Sequence, residues 1–89
     1  MLCDCCRKRK KLFESYALIP TNKGSIHLCV ECNDLLYKLR DASHDNNLKE
    51  YRELKKKLLA KHKKSSAAFV QWRDDYIATC EETLKANIK

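Results

Sequence analysis

Glycine and proline are scarce in this 89-residue sequence: each occurs once, and both lie in the segment Pro-Thr-Asn-Lys-Gly at positions 20–24. Because these residue types favour turns, the segment predicts a tight reversal of the chain. No apolar run approaches the roughly 18 residues that a membrane-spanning helix needs. No apolar stretch precedes Cys3, as a secretory signal would require. We therefore expect a cytoplasmic protein that does not interact with a membrane.

Motifs of enzymatic chemistry are also missing. The sequence contains no Gly-rich phosphate loop, no nucleophile elbow and no His-Glu-x-x-His segment. A His-Asn-His nuclease is the competing interpretation, with His27, Asn33 and His44 as its candidates. Their order does not match the ββα arrangement of that nuclease class. We therefore expect a protein that acts by binding and is not an enzyme.

Cysteine, by contrast, is abundant, with six residues in the chain. Four of them form the pattern Cys-x2-Cys-x22-Cys-x2-Cys, made by Cys3, Cys6, Cys29 and Cys32. In a reducing compartment this spacing predicts a metal site more readily than disulfides. Zinc in structural sites takes four tetrahedral thiolate or imidazole ligands, and a two-residue spacing directs two sulfurs at one ion. The sequence therefore predicts one structural Zn²⁺.

Two cysteines remain outside this pattern. Cys5 crowds the first pair; we interpret it as a free thiol beside the site, with ligation through Cys5 as the alternative. A redox dithiol is the competing interpretation of either pair, but a reactive Cys-x-x-Cys usually has no matching second pair. Cys80 lies on an apolar helix stripe, which favours a buried structural cysteine.

Hydrophobic periodicity indicates a small zinc-stabilised α+β fold with two modules, residues 1–42 and 48–89. Residues 12–19 and 25–28 suit the strands of a hairpin, and residues 30–40 suit a helix that begins at the second cysteine pair. A polar connector, 41–47, follows. Apolar stripes then predict helices from Leu48 and over 67–88, separated at Ser65 and Ser66 and packed as an antiparallel pair on the zinc module or on a second chain. The stripes are Leu48, Tyr51, Leu54 and Leu58, then Phe69, Trp72, Tyr76, Cys80, Leu84 and Ile88.

The order of knuckle, hairpin and second cysteine pair opening a helix resembles a treble-clef zinc finger. Residues 2–39 resemble in particular the N-terminal module of bacterial arginine-kinase activator proteins, whose chains also begin Met-x-Cys-x-x-Cys. The segment Ile-His-Leu-Cys-Val-Glu-Cys at 26–32 is similar to their second knuckle. The resemblance implies zinc ligation by the four patterned cysteines. It does not extend to kinase activation, because that family's further zinc module has no counterpart here.

Basic residues dominate the charge, which is formally +7. Five of them follow the first knuckle without interruption: Arg7, Lys8, Arg9, Lys10 and Lys11. A second group comprises Lys55, Lys56 and Lys57 with Lys61, Lys63 and Lys64, of which Lys56 and Lys57 are the candidate binding residues. Such clusters indicate contact with nucleic-acid phosphates, although solvated surface residues explain many of them. The first hypothesis is a nucleic-acid-binding regulatory module.

The alternative is a protein-interaction adaptor of bacterial or phage type that docks on a host protein complex. In that case the zinc module or part of the last apolar stripe would meet the partner. The same stripe would otherwise be covered within a monomer or pair two chains in a homodimer.

Overall fold

The computed structural model describes residues 2–22 and 24–87. Two strands, β1 (Ala17–Thr21) and β2 (Gly24–Leu28), precede three helices, α1 (Val30–His44), α2 (Leu48–Leu59) and α3 (Ala67–Asn87). A short 3-10 helix, His62–Lys64, connects α2 to α3. The chain is thus a small α+β protein. No helix within the described ranges combines the length and apolarity that crossing a membrane would require.

The hairpin begins later along the chain than we predicted. β1 pairs antiparallel with β2, from Ala17 opposite Leu28 to Thr21 opposite Gly24. The strand therefore includes Pro20, which is tolerated because an edge strand does not need every backbone N–H for pairing. The predicted strand residues before Tyr16 instead form a loop, where the Glu14 N–H donates to the Lys11 carbonyl at 3.1 Å and closes a turn.

The helix boundaries follow capping chemistry. Helix α1 runs four residues past the predicted end and stops where Asn46 adopts a positive φ of 56°, a conformation that asparagine tolerates well. Asn47 then caps α2 by accepting a hydrogen bond from the Glu50 N–H at 3.3 Å. At the start of α3 the Ser66 hydroxyl accepts from the Phe69 N–H at 3.1 Å, which confirms the predicted break at the two serines.

One cluster of buried residues runs through the fold, from the first knuckle to the last helix. Helix α1 is central, because both α2 and α3 pack against it. Tyr51 and Lys55 of α2 donate hydrogen bonds to the Glu81 carboxylate of α3 at 3.1 and 2.8 Å. Each of the two helices packs chiefly on α1, so the antiparallel pairing of α2 with α3 stays a prediction. Phe69, Cys80 and Leu84 of the last stripe are buried, whereas Ile88 lies outside the described residues. The division into two modules stays a prediction.

Candidate metal centre and the adjoining basic surface

Two separate elements supply the four patterned cysteines. Cys3 and Cys6 lie in the first knuckle, a turn in which the Arg7 N–H donates to the Cys3 carbonyl at 2.8 Å and the Cys3 N–H donates to the Lys8 carbonyl at 2.9 Å. Cys29 is the N-cap residue of α1, and Cys32 lies in its first turn. The positive end of a helix dipole favours negative charge, so this position suits thiolate ligands.

The sulfurs of Cys3, Cys6, Cys29 and Cys32 all lie within 4.8 Å of one another, which would allow them to hold a metal ion. The Cys6 and Cys29 sulfurs are 3.7 Å apart. Tetrahedral zinc with Zn–S bonds of about 2.3 Å places its sulfurs about 3.8 Å apart, so this edge fits zinc. Three of the four residues are buried and Cys6 is partly exposed. All of the cysteines are free thiols.

Hydrogen bonding divides the protons unequally among these thiols. A hydrogen bond from the Cys32 thiol lowers the pKa of Cys3 to about 4, and the same interaction raises the pKa of Cys32. The Cys29 N–H also donates to the Cys3 sulfur, at 3.3 Å. The cluster therefore favours thiolate at Cys3 and holds a proton at Cys32, and a bound cation would replace that proton because metals bind the deprotonated thiol.

Cys5 lies outside this group of four, yet it is fully buried. Hydrogen bonding to Cys32 is the largest cause of its lowered pKa, so its thiol lies beside the site. The Ser65 hydroxyl covers the same residue by donating to the Cys5 carbonyl at 2.8 Å. The arrangement places Cys5 beside Cys32, and its role as a free thiol and not a ligand stays a prediction.

Asp4 holds the two knuckles together, a role that the sequence did not reveal. Its carboxylate accepts a hydrogen bond from the His27 N–H at 2.6 Å, and its own N–H donates to the His27 carbonyl at 2.7 Å. The Asp4 carbonyl accepts from the Ser66 N–H at 2.8 Å. An acidic residue between two cysteines is the only sequence signal, and its partners become apparent only in the folded chain.

The basic run after the first knuckle contacts the turn before α3. The Arg7 Nε donates to the Lys64 carbonyl at 2.9 Å, which brings Arg7 beside the 3-10 helix His62–Lys64. Arg7 also has a positive φ of 63°, an unfavourable conformation for a side chain with Cβ. Within the run Arg7, Lys8, Arg9 and Lys11 are exposed, and Lys10 is half-buried.

The second basic cluster is divided between two surfaces. Lys56 and Lys57 are exposed on α2, but Lys55 turns toward α3 and pairs with Glu81 at 2.8 Å. Lys57 and Lys61 line a shallow groove between α1 and α2 that also contains Glu31 and Asp34. The direct contact with the first run thus comes from Lys64, which our prediction of the binding residues did not include.

A second groove lies between β1, α1 and α3. Trp72 stacks on Tyr76 with ring centroids 5.1 Å apart, and Arg40 lies over the Tyr37 ring at 5.0 Å. The cavity has a volume of about 250 Å³ and is lined by Ala17, Leu18, Ile19, Asn33, Leu36, Tyr37, Arg40, Trp72 and Tyr76. The last apolar stripe is therefore covered at Phe69 and half-buried at Trp72 and Tyr76.

Buried Arg73 is another residue whose place the sequence did not reveal. It is only 4% exposed, and its Nη1 lies 3.1 Å from the Nδ1 of His62. Its Nη2 donates to the Asp74 carboxylate at 2.8 Å. The contact joins α3 to the 3-10 helix and so supports the turn that carries Lys64.

Comparison of the chain with protein-family models, with curated proteins and with solved structures finds no match. The resemblance to a treble-clef module stays a prediction.

Proposed function

We propose that this chain is a zinc-stabilised binding module of the treble-clef type that contacts nucleic-acid phosphates through basic residues beside its metal centre. The contact between Arg7 and Lys64 carries the proposal, because it brings basic residues that are 57 positions apart in the chain onto adjoining surface. Lys63 and Lys64 are exposed there, next to the basic run of residues 7–11. Two adjoining clusters of basic side chains attract a polyanion more strongly than one isolated cluster does.

Zinc is the ion that suits the four thiols best. An all-cysteine ligand set favours zinc among the common structural ions, and the separation of the Cys6 and Cys29 sulfurs fits its tetrahedral geometry. The ion would stabilise the first knuckle, whose Cys3 N–H holds the Lys8 carbonyl in place. The metal centre would thereby order the basic run that meets the phosphates.

The salt dependence of nucleic-acid binding tests this function. We would measure the anisotropy of a labelled 12-nucleotide oligothymidine and of a 12-base-pair duplex from 50 to 200 mM salt. The variant K8Q/R9Q/K11Q should bind both more weakly and with a smaller salt slope, by about 0.7 per lost contact on the single strand. The matched control K49Q/R52Q/K85Q removes the same charge from exposed positions of α2 and α3. Equal losses in both variants, or no binding of the unaltered protein at 50 mM salt, would contradict the proposal.

A protein-interaction adaptor is the second candidate function, and the groove between β1, α1 and α3 favours it. Leu18 and Tyr37 stand at this groove with 62% and 50% of their surfaces exposed. Exposed apolar residues around a concave surface are typical of protein-docking sites. If the groove meets a partner, L18E and Y37E should abolish a salt-insensitive complex while zinc content and nucleic-acid binding stay unchanged.

A further inference from the structure

The loop between the basic run and β1 presents two apolar side chains to solvent. Leu12 is 85% exposed and Phe13 is 95% exposed. They occupy the central positions of the turn that the Glu14 N–H closes on the Lys11 carbonyl at 3.1 Å. The only other phenylalanine, Phe69, is fully buried. An exposed leucine alone would need no explanation. Here, however, a phenylalanine lies beside it at the tip of a loop, directly after five basic residues.

The loop that carries these side chains is anchored on both sides. The Tyr16 hydroxyl donates to the Lys8 carbonyl at 2.8 Å, and Leu2 pairs with Arg9 in an isolated β-bridge. These contacts hold the backbone of the basic run against the knuckle and the start of the hairpin. The Phe13 side chain therefore extends from an anchored loop and does not pack onto the core.

We propose that the nucleic-acid ligand is single-stranded and that the Phe13 ring stacks on one of its unpaired bases. This inference rests on the proposed function of the basic run, whose side chains would hold the flanking phosphates. Proteins that bind single strands combine a basic surface with exposed aromatic rings, because every unpaired base offers a π face. In a duplex those faces are covered by the neighbouring base pairs, so the Phe13 ring gains little from it.

The length of the chain limits the distance between the basic run and the aromatic tip. Arg7 and Phe13 are six residues apart, and the chain between them spans at most about 20 Å. Along the chain, the basic residues follow the Arg7 contact with Lys64 and precede Phe13. A single strand bound here would place its phosphates on the basic side chains and one nucleobase on the Phe13 ring, with Leu12 beside it.

The test compares F13A with F13W on the labelled 12-nucleotide oligothymidine and the 12-base-pair duplex. Loss of one stacked base should weaken binding of F13A to the single strand by about 5- to 100-fold. Binding to the duplex should change by less than about twofold, since phosphate contacts dominate it. F13W should retain single-strand affinity, and its added tryptophan emission should be quenched on binding. L18A, which shortens another exposed apolar side chain, should bind both ligands as the unaltered protein does.

Folding and function are separated by further measurements. Because Phe13 is almost wholly exposed, F13A should keep the zinc content and unfolding midpoint of the unaltered protein. Unchanged single-strand affinity in F13A, with loss in K8Q/R9Q/K11Q, would overturn the stacking inference and leave nucleic-acid binding in place. An equal loss on duplex would overturn the preference for single strands. Absence of all nucleic-acid binding, or Phe13-dependent binding to phosphatidylserine vesicles alone, would overturn both proposals.

Discussion

The carboxylate of Asp4 accepts a hydrogen bond from the backbone N–H of His27 at 2.6 Å. This bond joins the first knuckle to the strand that leads into the second cysteine pair. The returning bond, from the Asp4 N–H to the His27 carbonyl, makes the connection reciprocal. The two halves of the candidate metal centre are therefore positioned by protein contacts, which a shared ion would reinforce.

Removal of the Asp4 carboxylate should destabilise the fold. D4A leaves the His27 N–H without its acceptor, and hydrogen bonds to charged groups contribute about 1.5–3 kcal/mol. We expect a loss of that order in the free energy of unfolding, measured in urea with saturating zinc through Trp72 fluorescence. D4N, which keeps an oxygen acceptor, should lose less. D45A removes an exposed aspartate at the end of α1 and serves as the control; equal midpoints for D4A and D45A would contradict the role of Asp4.

Substitution of single cysteines should distinguish the metal ligands from the cysteines that do not bind the ion. C29S should abolish stoichiometric zinc binding and unfold the first module, because structural zinc contributes on the order of 10 kcal/mol to such small sites. C5S and C80S should each retain one zinc per chain, since both residues lie outside the group of four sulfurs. Zinc content by elemental analysis and helicity by circular dichroism provide the measurements. Zinc loss in C5S with retention in C6S would assign the fourth ligand to Cys5 instead.

The backbone at Arg7 offers a matched pair of substitutions. R7A and R7G both remove the hydrogen bond to the Lys64 carbonyl, but only glycine adopts the positive φ at this position without strain. R7G should therefore be more stable than R7A by about 1 kcal/mol. Both should detach the turn before α3, which faster amide hydrogen exchange at Lys64 and Ser65 would report. Equal stability of the two variants would show that Arg7 carries no backbone strain.

High pH should weaken the packing of α3 on α1. Burial raises the pKa of Tyr76 to about 12, and its hydroxyl donates to the Leu36 carbonyl at 2.8 Å. An unfolded tyrosine ionises near pH 10, so the contribution of Tyr76 to stability is complete below pH 10 and is lost as pH rises toward 12. Burial also raises the pKa of Tyr51, and the two effects add.

The variant Y76F isolates this contribution. It should lose about 1 kcal/mol at pH 7 through the missing hydrogen bond, and its stability should fall less steeply than that of the unaltered protein between pH 10 and 12. Urea midpoints across that range measure both effects. If the stability of Y76F fell as steeply with pH as that of the unaltered protein, the loss of stability at high pH could not be assigned to Tyr76.

Local patterns in the sequence were sufficient to predict the structural features that depend on residues close together in the chain. The spacing of the cysteines predicted the four sulfurs that converge, and the stripes of Tyr51, Leu54 and Leu58 predicted α2 closely. The start of β1 could not be predicted, because residues 12–16 have strand-like composition while the bonds of Tyr16 and Glu14 hold them in a loop. These bonds depend on the position of the knuckle.

Contacts between distant residues also escaped prediction. Asp4 meets Ser66, and Arg7 meets Lys64, only because α2 and α3 both pack on α1. The helix periodicity indicates which face of each helix is apolar, but it does not determine the direction of the connecting turn. The sequence therefore predicted two basic clusters without predicting that Lys64, at the end of the second, would contact Arg7 of the first.

The uneven burial of the four sulfurs has a kinetic consequence. Cys3, Cys29 and Cys32 are sealed in the core, and the bonds from Ser65 and Ser66 close the knuckle on the side of α3. Cys6 alone among the four is partly open to solvent. A chelator or an oxidant would therefore reach a bound ion from the side of Cys6, and we expect metal exchange to begin with the detachment of that thiolate.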